Sequence, residues 1–193
     1  EENGSLATID MKYRGAPIDV SAVFCNYGIK PKVLTFLGND EVGRFFLNKL
    51  QSLELDTSTV FRHASKRSCR RVYINKKLFY LENMLNVDYN KAIDSREWLI
   101  TNCEWLIVDN KFAQGIIERL TSKKVDGVPQ LCTYIIGGDS PKIPDYIDSC
   151  AIVVFGVEDM AQGEIISDEL LKLNTDLGQI FIITDGISEI IAI

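Results

Sequence analysis

Short apolar runs of strand length alternate with amphipathic helix candidates along most of this chain. The strand candidates are residues 32–37, 105–108, 130–136, 151–155 and 179–184. The helix candidates are residues 17–27, 40–53, 95–102, 113–122 and 159–173. Apolar strands that are separated by such helices form a mostly parallel sheet with helices on both faces. The alternation therefore predicts an α/β fold.

Residues 60–89 interrupt this alternation, because they contain strands and turns but no helix candidate. Within them, residues 68–81 have the pattern of two strands around the Asn75-Lys76 turn. An antiparallel insertion cannot cover both of its own faces, so one face must pack on a partner subunit or on a ligand. We therefore predict an antiparallel pair that stands off the main sheet. The main α/β domain then comprises residues 1–59 and 90–193.

The composition argues against several classes of protein. The chain has 21 basic and 27 acidic residues, a net charge of −6, whereas a duplex nucleic-acid binder normally carries a basic surface. No apolar run approaches the roughly 18 residues that span a membrane, and residues 1–5 do not begin a secretory signal. The five cysteines include no Cys-x-x-Cys pair, which favours free thiols in a reducing compartment over zinc or disulfides. We therefore expect a cytoplasmic protein that binds neither nucleic acid nor membrane.

A glycine turn at the start of the first helix candidate could hold a small polar ligand. Gly15 lacks a Cβ and allows close approach of a ligand to the backbone, and Pro17 suits the first helical turn. Asp19 projects from the helix N-terminus, where its charge is favoured by the helix dipole. Gly15 and Asp19 are therefore candidate ligand residues. The alternative is an ordinary helix start with an acidic first turn.

A second glycine turn, Leu37-Gly38-Asn39-Asp40-Glu41-Val42-Gly43, has the pattern of a structural element. Asn39 or Asp40 can cap the helix that follows, and Gly43 allows close packing one turn later. We expect Gly38, Asp40 and Gly43 to serve the fold rather than a ligand.

Two polar residues, Asp109 and Asn110, follow the strand candidate 105–108. Ligands of open parallel sheets bind outside the carboxyl ends of the strands, so both residues are candidate substrate contacts. The alternative is that they are solvated loop residues. A basic cluster of Lys66, Arg67, Arg70 and Arg71 is interpreted as a solvated strand edge, with an anion clamp as the alternative.

The order of these motifs resembles that of the ribokinase-like (PfkB) carbohydrate kinases. The matching segments, in family order, are residues 15–21, 37–43, 53–60, 69–81, 152–156 and 182–186. The resemblance covers essentially the whole chain and is most specific in its first third. It implies transfer of the ATP γ-phosphate to the hydroxyl of a small-molecule sugar, with ATP and Mg²⁺ as cofactors. It also implies that residues 60–89 form a lid over the sugar, which can be a homodimer interface.

The resemblance also suggests roles for particular residues. Gly15 and Asp19 match the family's sugar-contacting helix start, beside the candidates Asp109 and Asn110 from the strand end. For the nucleotide, Asp159 falls near the family's Asn-x-x-Glu, and Thr184 with Gly186 matches a Thr-x-Gly. No residue of this chain matches a catalytic or a metal-binding position. A Gly-x-x-x-x-Gly-Lys-Ser/Thr motif is absent from the sequence, which excludes a P-loop kinase.

Several positions depart from the family pattern. Arg14 stands for the first glycine of the Gly-Gly pair, Asp19 for an asparagine, and Gly156 for the asparagine of Asn-x-x-Glu. The family's catalytic Gly-Ala-Gly-Asp would follow Ile193, and its first strand normally begins further ahead of Gly15. We therefore expect a chain truncated at both ends whose 193 residues do not phosphorylate a sugar by themselves. The alternatives are an inactive kinase-like binding or assembly subunit and, less favoured, an unrelated Rossmann-type domain.

Overall fold

The computed structural model of this chain describes residues 16–74, 77–82, 89–122, 129–136, 142–173, 178–186 and 189–193. The chain divides into two compact units, residues 1–95 and residues 96–193. Gly15 lies outside the described residues, so its predicted ligand role is not addressed by the structure.

In its described residues, the first unit combines three helices with two small sheets. Its elements are α1 (Ala16–Asn26), β1 (Phe36–Gly38), α2 (Glu41–Ser52), β2 (Phe61–His63), β3 (Arg70–Ile74), β4 (Lys77–Glu82) and α3 (Tyr89–Asp94). Strands β1 and β2 pair in parallel, with Phe36 opposite Phe61. The strand predicted at 32–37 is shorter than expected, because the carbonyl of Val33 accepts a hydrogen bond from the buried hydroxyl of Thr59 (2.7 Å) rather than from a neighbouring strand.

The core of the first unit is apolar. It is formed by residues of α1, α2 and β1 and of the segments that precede β1 and β2. Its buried residues are Ile18, Val33, Leu37, Leu50, Leu55 and Val60. The amphipathic pattern predicted for residues 40–53 is therefore confirmed at Leu50, which is 1% exposed. Burial of such side chains is the main favourable term for folding.

Strands β3 and β4 form a separate antiparallel ribbon, as predicted for residues 68–81. Arg70 lies opposite Glu82, and the two side chains form an ion pair at 2.5 Å. The register shifts between Val72 and Tyr73, which marks a β-bulge. The predicted 60–89 insertion begins with β2, which belongs to a parallel pair, so the antiparallel part starts only at Arg70.

The turn before α2 is fixed by one carboxylate. Asp40 is the N-cap of α2, and its Oδ1 accepts hydrogen bonds from the Gly43 N–H (2.8 Å) and the Ser68 hydroxyl (2.7 Å). Its Oδ2 accepts from the Ser68 N–H (3.0 Å). The Ser68 hydroxyl in turn accepts from the Gly38 N–H (2.9 Å). The structural role predicted for Gly38, Asp40 and Gly43 is confirmed, and the partner that joins them is Ser68.

The second unit contains a five-stranded sheet. Its elements are α4 (Glu97–Thr101), β5 (Trp105–Asp109), α5 (Asn110–Ser122), β6 (Gln130–Ile136), a 3₁₀ turn (Ile147–Ser149), β7 (Ile152–Gly156), α6 (Met160–Lys172), β8 (Ile180–Thr184) and β9 (Ile190–Ala192). The spatial order is β5-β6-β7-β8-β9, and the first four strands are parallel. Strand β9, which periodicity did not predict, pairs antiparallel with β8. The mostly parallel α/β class is confirmed.

The sheet of the second unit is packed tightly against its helices. Val153 and Phe155 of β7 and Ile183 of β8 are fully buried. Helix α6 approaches β8 through Gly163, where an added Cβ would meet the Ile183 side chain at 3.1 Å. Among the helices of the described ranges, none is long and apolar enough to cross a membrane.

Candidate functional site

The predicted site residues of the second unit lie along one edge of its sheet. Asp109 ends β5, Gly156 ends β7 and Thr184 ends β8, and Gly156 lies opposite Thr184 in the register. The carboxyl ends of parallel strands meet at the same edge, where open α/β sheets bind ligands. Neighbouring strands are about 4.8 Å apart, so β5 and β8, separated by three steps, lie about 14 Å apart. This distance can accommodate a ligand of several rings.

The Asp109 carboxylate is held at both oxygens. Its Oδ1 accepts the backbone N–H of Lys111 (3.2 Å), and its Oδ2 accepts the hydroxyl of Tyr134 (3.3 Å). The Lys111 ammonium lies 3.8 Å from Oδ2, on a side chain that is 62% exposed. The Asp109 side chain itself is 33% exposed. A half-open, oriented carboxylate of this kind is an acceptor for the hydroxyl groups of a ligand.

Asn110 is the first residue of α5, three residues earlier than the predicted start of this helix. The helix starts earlier because the Asp109 carboxylate accepts the N–H of Lys111 in the first turn, as capping side chains do. The carbonyl of Asn110 accepts the hydroxyl of Tyr146 (3.4 Å), and its side chain is exposed. Asn110 is therefore an exposed helix-start residue beside Asp109 and not part of a loop.

Two tyrosines beside Asp109 were not predicted as site residues. Burial, followed by the charge of Asp109 and the hydrogen bond to it, raises the pKa of Tyr134. Burial is also the first cause that raises the pKa of Tyr146. Both phenols therefore remain protonated donors at neutral pH. Tyr134 was missed because its position opposite Asp109 depends on the pairing of β5 with β6, which the local pattern does not determine.

The three predicted nucleotide residues have local hydrogen bonds. Asp159 is the N-cap of α6 and accepts the Gln162 N–H (3.0 Å). The Thr184 hydroxyl accepts the Gly186 N–H (2.9 Å), and Gly186 adopts a φ of +78°, which favours glycine. Asp159 and Gly186 are exposed and Thr184 is half-buried. The structure brings these residues to the ends of adjacent strands, and each also stabilises its own turn.

The donor set at this edge fits a metal that arrives with a nucleotide. Within the described part of the chain, no group of three or more His, Cys, Asp or Glu side chains could hold a metal ion. Mg²⁺ in nucleotide sites is typically held by one or two carboxylates together with phosphate oxygens and water. Asp159 and Asp185, which follow β7 and β8, supply carboxylate oxygens of this kind. By the chemistry of their donors, the described residues at this edge fit Mg²⁺ that arrives with a nucleotide.

Asp19, the candidate of the first unit, is exposed in the first turn of α1. Its position next to the helix N-terminus agrees with the predicted helix start. In the basic cluster, Arg70 is engaged by Glu82 and lies over the Tyr80 ring. Of the four basic residues in this cluster, Arg70 therefore has its partners within the ribbon.

A shallow cavity of about 250 Å³ lies away from this edge. It is lined by Ile117, Leu120, Thr121, Pro129, Leu131 and Ser149. These residues are close to the amino ends of β6 and β7 and include none of the predicted site residues. The cavity is therefore separate from the candidate site.

Among the comparisons with known proteins, the one with solved structures identifies the fold. No family model matches the sequence, and no curated protein matches it. Solved structures of sugar kinases do match. A candidate sugar kinase from Clostridium perfringens superposes with a TM-score of 0.68 at 13% identity, over 100% of this chain and 65% of that chain. Fructokinase from Xylella fastidiosa, solved with bound ATP, matches with a TM-score of 0.66 at 11% identity, over 92% of this chain and 62% of that chain.

A PfkB protein from a Polaromonas species is similar in the same way, with a TM-score of 0.60 and 15% identity over 89% of this chain and 66% of that chain. The chain thus has the fold of the ribokinase-like carbohydrate kinases. It spans 65% of the length of the Clostridium perfringens protein. At identities of 11–15%, these matches show the fold and not the activity.

Proposed function

We propose that this chain is the substrate-facing part of a carbohydrate kinase, which transfers the γ-phosphate of ATP to the hydroxyl of a sugar. The observation that carries the proposal is the set of polar residues at the carboxyl edge of one parallel sheet, at the ends of β5, β7 and β8, in a fold that sugar kinases share. Function in such sheets is located at this edge.

Asp109 and Asn110 are proposed to bind the sugar in the second unit. An ionised carboxylate only accepts hydrogen bonds, so its ligand must donate, as the hydroxyls of a neutral sugar do. An anionic group, such as a sugar acid or sugar phosphate, would be repelled at this position. Asp19 is proposed as a further acceptor for substrate hydroxyls in the first unit, and Gly15 as a point of close backbone approach.

Asp159, Thr184 and Gly186 are proposed to bind ATP. Asp159, with Asp185, would hold the Mg²⁺ that accompanies the nucleotide. The metal supplies neutralisation of phosphate charge in transfer reactions of this class. The catalytic base and the anion-hole glycines are not assigned to any residue of this chain. Five free thiols support a location in the reducing cytoplasm.

A second candidate function is a kinase-like protein without activity that serves as a binding or assembly subunit. Gly156 carries no side-chain amide at the end of β7, and the first turn of α6 is already capped by the Asp159 carboxylate. Both features reduce the capacity of this edge to receive phosphate groups. ADP release in the presence of ribose, fructose, ketodeoxygluconate and nucleosides separates an enzyme from an inactive subunit.

Replacement of Asp109 by asparagine tests the sugar site. We expect Asp109→Asn to weaken the binding of a neutral sugar about tenfold or more, because a hydrogen bond to a charged group contributes about 1.5–3 kcal/mol. Isothermal titration calorimetry of the chain with fructose and ribose measures this loss. Equal affinity of the variant and the wild type would contradict the assignment.

Asp148→Asn is the matched control, because Asp148 is exposed in the 3₁₀ turn that precedes β7 and belongs to no proposed site. It should bind sugar as the wild type does. A similar loss in both variants would indicate an effect of overall charge rather than of the site.

The ribbon of β3 and β4 is proposed as a lid and as a homodimer interface. It exposes large apolar side chains: Val72 at 41%, Phe79 at 74%, Tyr80 at 42% and Leu81 at 45%. A two-stranded ribbon is marginally stable by itself. Burial of one apolar face against another surface would stabilise it. A second copy of the chain supplies a matching apolar surface.

Disruption of the ribbon surface tests the dimer. We expect the double variant Phe79→Ser/Leu81→Ser to sediment as a monomer at concentrations where the wild type is dimeric. The control Ile165→Ser removes an exposed apolar side chain of α6 (62% exposed) and should leave the dimer intact. A wild-type chain that is monomeric at every concentration would overturn the proposed interface.

A further inference from the structure

Tyr134 lies beside the proposed sugar site and has no role in it so far. It lies on β6 directly opposite Asp109 of β5. Its hydroxyl donates a hydrogen bond to Asp109 Oδ2 at 3.3 Å, and its ring is partly buried in the strand layer. A strand residue with a rigid ring loses little freedom when it makes such a contact.

The other contacts of Asp109 differ in kind from that of Tyr134. The Lys111 N–H binds Oδ1 and belongs to the backbone of α5, so no side-chain substitution removes it. The Lys111 ammonium is 3.8 Å from Oδ2 and its side chain is largely exposed, so this ion pair contributes little. Among the described residues, Tyr134 is therefore the side chain whose hydroxyl donates a hydrogen bond to Oδ2.

We propose that Tyr134 is a positioning residue, which holds the Asp109 carboxylate in the orientation that receives the hydroxyls of a neutral sugar; this inference rests on the proposed function. A carboxylate has acceptor capacity at each oxygen beyond one hydrogen bond, so both oxygens can still accept ligand hydroxyls. A carboxylate that is already oriented binds without the cost of ordering its side chain.

The variant Tyr134→Phe tests the proposal, because it removes the hydroxyl and keeps the ring. We expect its affinity for fructose or ribose, whichever the wild type binds, to fall about three- to tenfold in calorimetry, because the freed carboxylate must then be ordered when the sugar binds. In the background of Asp109→Ala the same substitution should change the affinity little, because residue 109 then has no acceptor for the Tyr134 hydroxyl. Tyr27→Phe, at a tyrosine that is 80% exposed on the first unit, is the control and should bind as the wild type does.

A second readout requires no ligand. In carbon-13 NMR of the tyrosine-labelled chain, the Cζ resonance of Tyr134 is identified by its loss in Tyr134→Phe. We expect Asp109→Asn to shift this resonance and to leave that of Tyr27 in place. A Tyr134 resonance that does not move would overturn the contact and with it the proposal.

The two measurements separate the failure of each idea. If the wild type binds sugar and Tyr134→Phe binds it equally well, the positioning role is wrong and the sugar site stands. If the wild type binds no neutral sugar, the proposed function is wrong and the positioning role falls with it, even where the Tyr134 resonance confirms the contact.

Discussion

Replacement of Gly38 by alanine is expected to destabilise the first unit by more than about 3 kcal/mol, at the upper end of overpacking substitutions. A Cβ at this position would lie 2.4 Å from the Lys66 carbonyl oxygen, 2.5 Å from the Ser68 nitrogen and 2.7 Å from the Arg67 carbonyl carbon. All three are backbone atoms, so no side-chain rotation relieves the clash. Relief requires displacement of residues 66–68, which breaks the contacts of Ser68 with Asp40.

The measurement must report on the first unit. Both tryptophans, Trp98 and Trp105, lie in the second unit, so their fluorescence does not report directly on the packing around Gly38. Hydrogen exchange of peptides from residues 16–74, followed in increasing urea, measures the stability of the relevant segment. A change of less than about 1 kcal/mol in Gly38→Ala would contradict the packing argument.

Two other glycines provide graded controls. Gly28 has a φ of +77° and no atom within 4 Å of an added Cβ, so Gly28→Ala should cost about 1 kcal/mol from backbone conformation alone. Gly115 lies inside α5, and an added Cβ would meet only the flexible end of Arg119 at 3.3 Å. Gly115→Ala should therefore stabilise the helix by up to about 1 kcal/mol. The three variants separate steric clash, left-handed backbone and helix propensity.

Local periodicity was sufficient to predict much of the fold. The strand candidates 130–136, 151–155 and 179–184 correspond to β6, β7 and β8 within one residue at each end. The helix candidate 159–173 corresponds to α6, whose cap at Asp159 is a local signal. These elements are predictable because their apolar faces repeat along a single segment of chain.

Contacts between distant segments were not predictable in the same way. The carbonyl of Val33 is taken by Thr59, which is 26 residues away, and this shortens β1. Asp40 was predicted as a possible cap, but its second partner, Ser68, is 28 residues away. Such pairings depend on how segments meet, which no local pattern specifies.

The candidate site shows the same division between local and long-range information. Asp109 follows an apolar strand candidate and could be placed at the carboxyl edge from topology, whereas Asp159 and Thr184 were suggested by the family resemblance. Their contribution to binding depends on neighbours such as Tyr134, whose position requires the register of β5 against β6. The helix-start pattern around Asp19 likewise predicts its place in the first turn but not its exposure, which depends on the face of α1 that packs on the core.

Replacement of Asp40 by alanine is expected to destabilise the first unit by about 3 kcal/mol. Loss of a helix cap costs about 0.5–2 kcal/mol, and each buried partner left unpaired costs about 1–3 kcal/mol more. Here the Ser68 N–H and hydroxyl both lose their acceptor, and Ser68 is only 1% exposed. Urea unfolding followed by hydrogen exchange of residues 16–74 measures the loss. Asp56→Ala is the matched control, because its carboxylate binds the exposed Ser58 and Lys32 and should matter less.

The stability of the same turn should depend on pH. Burial by itself would raise the pKa of Asp40, but the hydrogen bonds from Gly43 and Ser68 outweigh it and lower the pKa below the ordinary value of 3.8. A carboxyl whose pKa is lower in the folded state stabilises the fold above the unfolded-state pKa and loses that contribution as the pH falls through the folded value. We therefore expect the stability of residues 16–74 to fall as the pH is lowered below about 4. Asp40→Asn has no charge to titrate at this position. Its amide has one acceptor oxygen, whereas the Ser68 N–H and the Ser68 hydroxyl each donate to a separate oxygen of Asp40, so one of the two donors loses its acceptor. This variant should be less stable than the wild type at neutral pH and should show a shallower decline in acid. An acid decline as steep in Asp40→Asn as in the wild type would show that other carboxylates, such as Asp56 with its pKa of about 2, account for it.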